Sequence, residues 1–531
     1  MTDEAVTFWN TMPLGSAAEN YADLIINRVE RGMPTDSWSV DWADCPSEQK
    51  LYPLAQRVPL PTPSWGRGVL AAAGEGLHGQ ERGRVLADIL FLSYGLLSQR
   101  CRVNCSDRPE MLCQASRYRW GRGASSGGGR YTVSVYRVVG ASTDLAPGIY
   151  HYSPLHHAWD LLVSGDHTAA VAQAQGYGDV VDDYLLLTID YWQSGFKYND
   201  FAYQATSMDV GTILGTWRYL LGEHEDQVVP DMWVNEERLS RILGTDREQE
   251  GVYAVLPVGR PHRGTVRGGS PVVADHQRSR HVRSFPTTRA MQRDMAGTPS
   301  RPRTTAGVPL ALPGDDVVAL PAPTHPALAD RVRAVRRRET SFGRFDGAPI
   351  AAEDLLTLLS TGAQAACLVE HDLGAACSSS VRPYVFVENV TGLQAGLYEA
   401  DTCSGTLRRL SPGSHASFLD STYFLHNYDG QRSSTTLVLA ADVLGLSRDL
   451  GVRGYRIVNA AVGAVCQVMS LEAARLGMGL GTALGFDAAR HTTGIGLEDT
   501  PQKPVLMMLL GHDIECSGAW NGRLDLLKEL S

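Results

Sequence analysis

The chain repeats itself at a constant spacing, and this repeat constrains the fold more strongly than any single motif. Identical residues lie 252 positions apart, with no gap, in four pairs: Asp190 and Asp442, Tyr203 and Tyr455, Gly211 and Gly463, Gly259 and Gly511. Upstream, Tyr136 and Tyr384 match at a spacing of 248, so four residues are gained in between, as a surface loop allows. A chain of such coincidences indicates two homologous halves.

The local patterns of the two halves agree with this interpretation. Residues 184–189 and 436–439 are continuous apolar runs with β-branched members, which is typical of buried strands. Apolar residues then recur at helical spacing after both runs, and each half closes on a strand that ends in glycine. We therefore expect an α+β fold in each half.

Composition divides the chain into four parts. Residues 1–64 form an N-terminal extension with several aromatic residues and a proline-rich stretch, which we interpret as a wrapping arm. Residues 65–262 and 328–531 are the two halves. Between them, residues 263–327 are rich in Pro, Arg, Thr and Gly without periodicity, which is typical of a linker.

The totals argue against several classes of protein. A formal net charge of −10, without a long basic stripe, argues against a nucleic-acid-binding protein. We see no apolar run of membrane-span length and no signal pattern at the N-terminus, so we expect no membrane contact and a cytoplasmic location. Nine cysteines do not indicate a disulfide framework, and Cys101, Cys105 and Cys113 lack a fourth zinc ligand, so we expect no metal site.

Four motifs follow one another in an order that matches a known group of enzymes. They are Gly-Ala-Ser-Ser-Gly-Gly at 123–128, Phe-Lys-Tyr-Asn-Asp at 196–200, Arg-Glu-Thr-Ser-Phe-Gly-Arg-Phe at 338–345 and Gly-Met-Gly-Leu-Gly-Thr at 477–482. Together they resemble the SagB-type dehydrogenases of the nitroreductase superfamily. The similarity covers most of the chain from about Trp65 onward, apart from the linker.

The resemblance carries expectations about fold and chemistry. Superfamily members bind FMN at a dimer interface. For a chain with two homologous halves, the resemblance therefore implies an α+β fold of two tandem nitroreductase-like domains that form an intramolecular pseudo-dimer. The SagB type oxidises thiazolines or oxazolines to thiazoles or oxazoles in ribosomally synthesised, post-translationally modified peptides, here expected to be thiopeptide-like. The implied partners are an azoline-bearing precursor peptide, a cyclodehydratase, and dioxygen as electron acceptor.

The FMN phosphate is expected in the second half. Arginine forks and glycine-rich turns supply the charge and free N–H groups that a phosphate needs. The candidates are Arg337, Arg338, Ser341, Arg344, Gly479, Leu480, Gly481 and Thr482. At a spacing of 252, residues 477–482 correspond to 225–230, where glutamate and aspartate would repel a phosphate and Pro230 lacks an N–H. The resemblance adds four first-half residues to the cofactor site: Ser125, Ser126, Gly127 and Gly128.

The catalytic pair is expected in the first half. Lys197 and Tyr198 match the Lys-Tyr motif of azoline dehydrogenases, whereas their counterparts at a spacing of 252 are Asp449 and Leu450. Superfamily dimers place the substrate-facing segment opposite the phosphate-holding subunit, so the resemblance implies one composite site and one FMN per chain. We expect Lys197 to act as the base, with a pKa lowered by burial, and Tyr198 to act as its partner.

Ordinary explanations compete with these assignments. Lys197 and Tyr198 fit an exposed strand-to-helix turn, residues 336–338 fit a solvated helix end, and the Ser/Gly run fits a flexible loop. Two other functions also stay open: a nicotinamide-driven nitro or ene reductase of the same superfamily, and a non-catalytic protein that docks a precursor peptide. NADH-driven bleaching of the flavin would favour the reductase, and colourless purified protein would favour the docking protein.

Overall fold

The structure is a computed structural model of the chain. It describes residues 15–34, 38–61, 76–79, 81–102, 117–140, 144–176, 179–261, 273–295, 311–323, 325–341, 343–373, 380–425, 428–514 and 519–523. The strands are β1 (Gln56–Pro59), β2 (Ser98–Arg102), β3 (Arg117–Gly121), β4 (Val133–Val139), β5 (Gly148–Ser153), β6 (Ala158–Ser164), β7 (Val181–Asp190), β8 (Glu250–Pro261), β9 (Asp315–Ala319), β10 (Ile350–Ala351), β11 (Val381–Val387), β12 (Val390–Thr391), β13 (Gly396–Asp401), β14 (Thr406–Pro412), β15 (Thr435–Ala441), β16 (Gly479–Ala483), β17 (Lys503–Gly511) and β18 (Ala519–Arg523). The α-helices are α1 (Ala17–Ile26), α2 (Arg28–Arg31), α3 (Arg82–Tyr94), α4 (Thr168–Gln175), α5 (Tyr191–Tyr198), α6 (Ala202–Leu221), α7 (Glu236–Leu243), α8 (Pro286–Asp294), α9 (Leu328–Arg337), α10 (Ala352–Gln364), α11 (Glu370–Leu373), α12 (Ala416–Thr422), α13 (Val443–Arg475) and α14 (Ala488–Ile495).

Each half contains an antiparallel sheet, and the two sheets have matching strand orders. The order is β1–β6–β5–β4–β7–β8 in the first half and β9–β14–β13–β11–β15–β17–β16 in the second. The central strands β4, β7, β11 and β15 are largely buried, and helices pack against both sheets. The predicted buried strands at 184–189 and 436–439 are confirmed as parts of β7 and β15.

The spacing of 252 also holds for the hydrogen-bond registers. Ala483 pairs with Met507 in the ladder between β16 and β17. The residues 252 positions earlier, Asp231 and Val255, form an isolated antiparallel bridge. The second half therefore has a full edge strand, β16, where the first half has a single bridge at the equivalent position.

The two halves meet along α6 and α13, which carry a pair of repeated glycines. A Cβ on Gly211 would overlap the carbonyl oxygen of Ala460 in α13, and a Cβ on Gly463 would overlap that of Met208 in α6. Because neither glycine has a Cβ, the two helix backbones touch symmetrically. This contact builds the expected pseudo-dimer within one chain.

Helix α13 corrects the expectation that no segment is apolar enough to span a membrane. Its 33 residues include an 18-residue window with a mean hydropathy of 1.5, of which 94% is buried inside the fold. The sequence analysis missed it because Asn459, Gln467 and Glu472 interrupt the apolar run. Two of these polar side chains bind the first half: Gln467 donates to the Gly123 carbonyl at 2.9 Å, and Glu472 accepts from the Tyr219 hydroxyl at 2.8 Å. Helix α13 is therefore a core helix that both halves share.

The N-terminal extension and the linker both contain regular elements that pack on the halves. From the extension, β1 pairs with β6, and α1 packs against α13, where Glu19 accepts from Arg448 at 2.8 Å. From the linker, α8 packs against α1, and β9 pairs with β14. These elements are too short to show a period in the sequence, and packing on the neighbouring half stabilises them.

A third sheet, β18–β2–β3, joins the end of the chain to the first half. Arg100 of β2 donates to the Thr340 carbonyl at 2.9 Å, and Arg523 of β18 donates to the Arg337 carbonyl at 3.2 Å. The sheet thereby places the second-half phosphate candidates beside β3, which leads into the Ser/Gly run of the first half.

Candidate active site

The Ser/Gly run forms a loop between β3 and β4 that side chains from both halves hold in place. From α6, the Asp209 carboxylate accepts from Ser126 Oγ at 2.6 Å and from the Gly127 N–H at 2.9 Å. From α13, Gln467 Oε1 accepts from Ser125 Oγ at 2.7 Å and from its N–H at 3.0 Å. The loop is therefore held in place at the junction of the two halves.

Asp209 is a functional candidate that the sequence analysis missed. It is 4% exposed, and burial raises the pKa of its carboxyl to about 7, against the opposing effect of hydrogen bonds from Ser126, Gly127 and Thr132. Its counterpart at a spacing of 252 is Ala461, so the acid belongs to one half only. A lone acid on an otherwise apolar helix was the available signal.

Lys197 and Tyr198 lie at the C-terminal end of α5 and form a hydrogen-bonded pair. Lys197 Nζ donates to Tyr198 Oη at 2.7 Å, and both side chains are half-buried. Tyr198 Oη in turn lies against Gly128 of the loop, which has φ +60° and where a Cβ would overlap the hydroxyl. The structure thus brings the predicted catalytic pair to the predicted cofactor loop.

The electrostatic setting of the pair makes the lysine easier to deprotonate. Burial, with help from the positive charges of Arg119 and Arg130, lowers the pKa of Lys197 to about 8. Burial raises the pKa of Tyr198 to about 12. Near neutral pH the pair therefore combines a readily deprotonated amine with a protonated phenol.

An unusual backbone conformation follows the pair and is repeated in the other half. Asn199 has φ +45° and ψ −131°, and Gly451, 252 positions later, has φ +62° and ψ −145°. This region is costly for any residue except glycine. The first half therefore accepts strain immediately after Lys197 and Tyr198, where the second half uses glycine.

Arg338 binds the first-half loop region. Its Nε donates to the Gly123 carbonyl at 2.7 Å, its Nη2 to the Arg122 carbonyl at 2.8 Å and its Nη1 to Ser125 Oγ at 3.2 Å. The side chain is 7% exposed and does not line the neighbouring cavity. The structure therefore places Arg338 as a clamp between the halves.

A cavity of about 390 Å³ lies where the other second-half candidates meet. Arg337, Ser341, Gly479 and Leu480 line it, together with Arg523 of β18. Three further predicted residues, Arg344, Gly481 and Thr482, lie outside its wall. Thr482 has its hydroxyl 3.7 Å from Cys466 Sγ, and Arg344 is half-buried, with its carbonyl accepting from the Ile514 N–H at 3.0 Å.

The cavity wall fits an anionic group such as the FMN phosphate. The Asp513 carboxylate accepts from Ser341 Oγ at 2.5 Å, so a negatively charged oxygen already occupies the acceptor position there. Burial raises the pKa of the Asp513 carboxyl, so this group takes up a proton and loses its negative charge more readily than an exposed aspartate. Arg337 and Arg523 supply positive charge to a wall that also contains the carboxylates of Glu339 and Asp513. A phosphate in place of that carboxylate would meet both arginines and a hydroxyl donor.

The second-half glycine motif forms a strand, which corrects the expected turn. Gly477, with φ +77°, lies in the turn after α13, and the following residues form β16 at the edge of the sheet. The glycines make room for close neighbours. A Cβ on Gly479 would overlap the Asp513 side chain, and one on Gly481 would lie 2.9 Å from the Tyr428 ring.

The counterpart of the cavity in the first half is filled by the protein itself. Ser470 and Gly477 of the cavity wall correspond, at a spacing of 252, to Arg218 and Glu225. The side chains of Arg218 and Glu225 form an ion pair at 3.5 Å. Gly479 of the wall corresponds to Gln227, whose side-chain oxygen accepts from the Leu77 N–H at 2.6 Å. A phosphate would have to displace these groups, so the filled region fits one FMN per chain.

Among the residues that the structure describes, no group of three or more His, Cys, Asp or Glu side chains could hold a metal ion. Cys105 and Cys113 lie outside the described residues.

A model of the nitroreductase family matches residues 335–512. The matched residues lie in the second half, which is therefore similar to nitroreductase-family domains. Nitroreductase-family members use FMN, in agreement with the expected cofactor, and the match supports the general class of flavin-dependent oxidoreductases. The residues that build the cavity and β16 lie largely within the matched segment.

Solved structures extend the nitroreductase-like fold over both halves. The chain is similar to a putative nitroreductase from Anabaena variabilis, with a TM-score of 0.71 at 19% identity, covering 94% of this chain and 100% of that one. A putative nitroreductase from Ralstonia eutropha gives a TM-score of 0.29 at 18% identity, covering 40% of this chain and 99% of that one. The E. coli microcin synthetase McbBCD complex with truncated pro-MccB17 bound gives 0.27 at 17% identity, covering 34% of this chain and 70% of that chain. The first similarity confirms the α+β fold, and the other two are too low to carry an argument. No curated protein matches the sequence.

Proposed function

We propose that the chain oxidises thiazoline or oxazoline rings to thiazoles or oxazoles in a ribosomally synthesised, post-translationally modified peptide, using FMN. The observation that carries this proposal is the pairing of Lys197 with Tyr198 at 2.7 Å, directly against Gly128 of the loop. The same loop is bound by Arg338 from the second half. A proton-handling pair and a cofactor-holding half therefore converge on one junction.

The chemistry of the proposed reaction defines what each residue must do. Aromatisation removes a proton from one ring carbon and a hydride from its neighbour, and bound FMN supplies the hydride acceptor. Lys197 takes the proton at Nζ. With a pKa of about 8, roughly one lysine in ten is neutral at pH 7, against about one in three thousand at the ordinary pKa. Tyr198 orients Nζ through its hydroxyl and can carry the proton onward.

The proposed cofactor contacts come from both halves. Arg337, Arg523 and Ser341 would hold the phosphate, after the Asp513 side chain turns away from Ser341. The first-half loop from Ser125 to Gly128 would cover the ring end, held by Asp209 and Gln467. We expect one such site per chain, because protein side chains fill the corresponding region of the first half.

The proposed setting follows from the reaction. The substrate is an azoline-bearing precursor peptide, a cyclodehydratase makes the azoline, and dioxygen regenerates the oxidised cofactor. A cytoplasmic location fits the sequence of such steps.

Mass spectrometry of a thiazoline-containing peptide incubated with the protein tests this function. The peptide should lose two hydrogens, about 2 Da, per ring with wild type and not with Lys197→Ala. An unchanged peptide, together with NADH-driven bleaching of the flavin, would identify a reductase and contradict the proposal. Protein that purifies and remains without flavin would point to the docking protein instead.

A further inference from the structure

A second, smaller cavity of about 140 Å³ opens beside Lys197. Its wall is formed by the N-terminal arm, by β3 and by residues 128–131 at the end of the Ser/Gly loop. Trp42 of the arm and Trp120 of β3 line it and are 40% and 41% exposed. The cavity is too small for a flavin and large enough for a side chain or a chain terminus.

Three arginines give this cavity a strong positive charge. Arg119, Arg122 and Arg130 line it together with Lys197, and Glu48 is the one acidic side chain in its wall. Within the ranges that the structure describes, no ion pair joins any of the three arginines to a carboxylate. The charge is local, since the whole chain carries a formal net charge of −10.

Two of the arginines are buried with donors that have no acceptor. Arg130 is 8% exposed; its Nε donates to the Gln193 carbonyl at 2.8 Å, but its Nη2 has no hydrogen-bond partner. Arg122 is 3% exposed, its guanidinium lies 4.3 Å from the ring centres of both Tyr94 and Tyr131, and its Nε has no partner. Buried donors of this kind are nearly always paired, and an unpaired charged group is costly.

We propose that this cavity binds a carboxylate of the peptide substrate, from an aspartate or glutamate side chain or from the C-terminus. Guanidinium groups match a carboxylate through paired N–H donors, and the flanking tryptophans provide flat surfaces for the adjoining peptide. The inference rests on the proposed function, because a peptide is then the molecule that reaches Lys197. The carboxylate would fix the position of the neighbouring ring relative to Lys197 and Gly128.

The assay is a ligand-observed NMR titration of the purified full-length protein with acetyl-aspartate methylamide, acetyl-asparagine methylamide, acetyl-phenylalanine and inorganic phosphate. The aspartate probe or the free C-terminus of acetyl-phenylalanine should bind wild type at least about tenfold more tightly than the asparagine probe, since hydrogen bonds to charged groups are strong. Arg130→Gln and Arg119→Gln should each remove this preference. Arg119 is exposed, so its replacement keeps the test valid if Arg130→Gln fails to fold. Arg241→Gln is the matched control, because Arg241 is an exposed arginine paired with Glu237 on α7.

Equal affinity for the aspartate and asparagine probes, without binding of acetyl-phenylalanine, would overturn the inference. A carboxylate preference that persists in both arginine variants would overturn it too, as would binding of phosphate alone. None of these measurements needs a thiazoline or a reduced flavin. A protein that oxidises thiazolines without any carboxylate preference would therefore refute this subsite and leave the proposed function standing.

Discussion

Replacing Lys197 by arginine separates proton transfer from positive charge at the catalytic pair. Arginine keeps the charge and much of the length of lysine, but its pKa is too high for it to act as a base. Burial, then Arg119 and Arg130, lower the pKa of Lys197 to about 8. Compared with a lysine at its ordinary pKa, the neutral base is about 300-fold more abundant at pH 7.

The expected loss of activity follows from this role. General-base catalysis contributes about 10²–10⁴-fold, so kcat/KM of Lys197→Arg should fall by that factor. In wild type, kcat/KM should rise with pH and level off above about pH 8, because the deprotonated amine is the active form. The charged and titratable groups that face Lys197 or line the adjoining cavity are Arg119, Arg122, Arg130, Tyr131, Tyr198, Cys45 and Glu48.

The assay follows loss of hydrogen from a thiazoline peptide by mass spectrometry, between pH 6 and 10. Asp449→Ala is the matched control, because Asp449 is the exposed counterpart of Lys197 in the second half and should leave the rate unchanged. A Lys197→Arg rate within about threefold of wild type would refute the role of Lys197 as base. So would a pH inflection near 8 that persists in the variant.

Three further changes test other parts of the structure. Asp513→Asn should tighten FMN binding about fivefold in a fluorescence titration, because a carboxylate at Ser341 competes with the phosphate; unchanged or weaker binding would contradict this. Gly451→Ala should lower the free energy of unfolding by about 1–3 kcal/mol in urea melts, because it introduces a Cβ at a positive φ, whereas Asn199→Ala exchanges one strained side chain for another and should cost less. Only Asn199→Ala should also lower kcat, and equal activity in both variants would refute a positioning role for that strained turn. Gly211→Ala should cost about 1–3 kcal/mol or more, because a Cβ there would overlap the backbone of α13, and a wild-type melting midpoint would be inconsistent with the close helix contact.

The repeat made the architecture predictable from the sequence. Identical residues at a spacing of 252 occupy equivalent places in the strands and helices of the two halves, and the same spacing relates the bridge of Asp231 and Val255 to the ladder pair of Ala483 and Met507. Lys197 and Tyr198 could also be singled out from the sequence as a candidate pair, since the other half lacks both residues. Both features can be recognised from the sequence because each depends only on which residues stand at matching positions of the two halves.

The contacts that fix the site could not be predicted, because they join segments far apart in the chain. Arg338 looked like a phosphate ligand from its neighbours in sequence, but its donors bind carbonyls and a hydroxyl more than 200 positions earlier. Asp209 and Gln467 lie inside apolar helices, where sequence reasoning assigns polar residues no partner. The motif at 477–482 looked like a turn because glycines favour turns, whereas pairing with β17 makes most of it a strand.

The ratio of FMN to polypeptide in the purified protein tests the division of labour between the halves most directly. Flavin absorbance after denaturation should give one FMN per chain, and Arg523→Glu, which reverses a charge in the second-half cavity, should lower that ratio sharply. Two FMN per chain, or a full complement retained by Arg523→Glu, would contradict a single cofactor anchored by the second half.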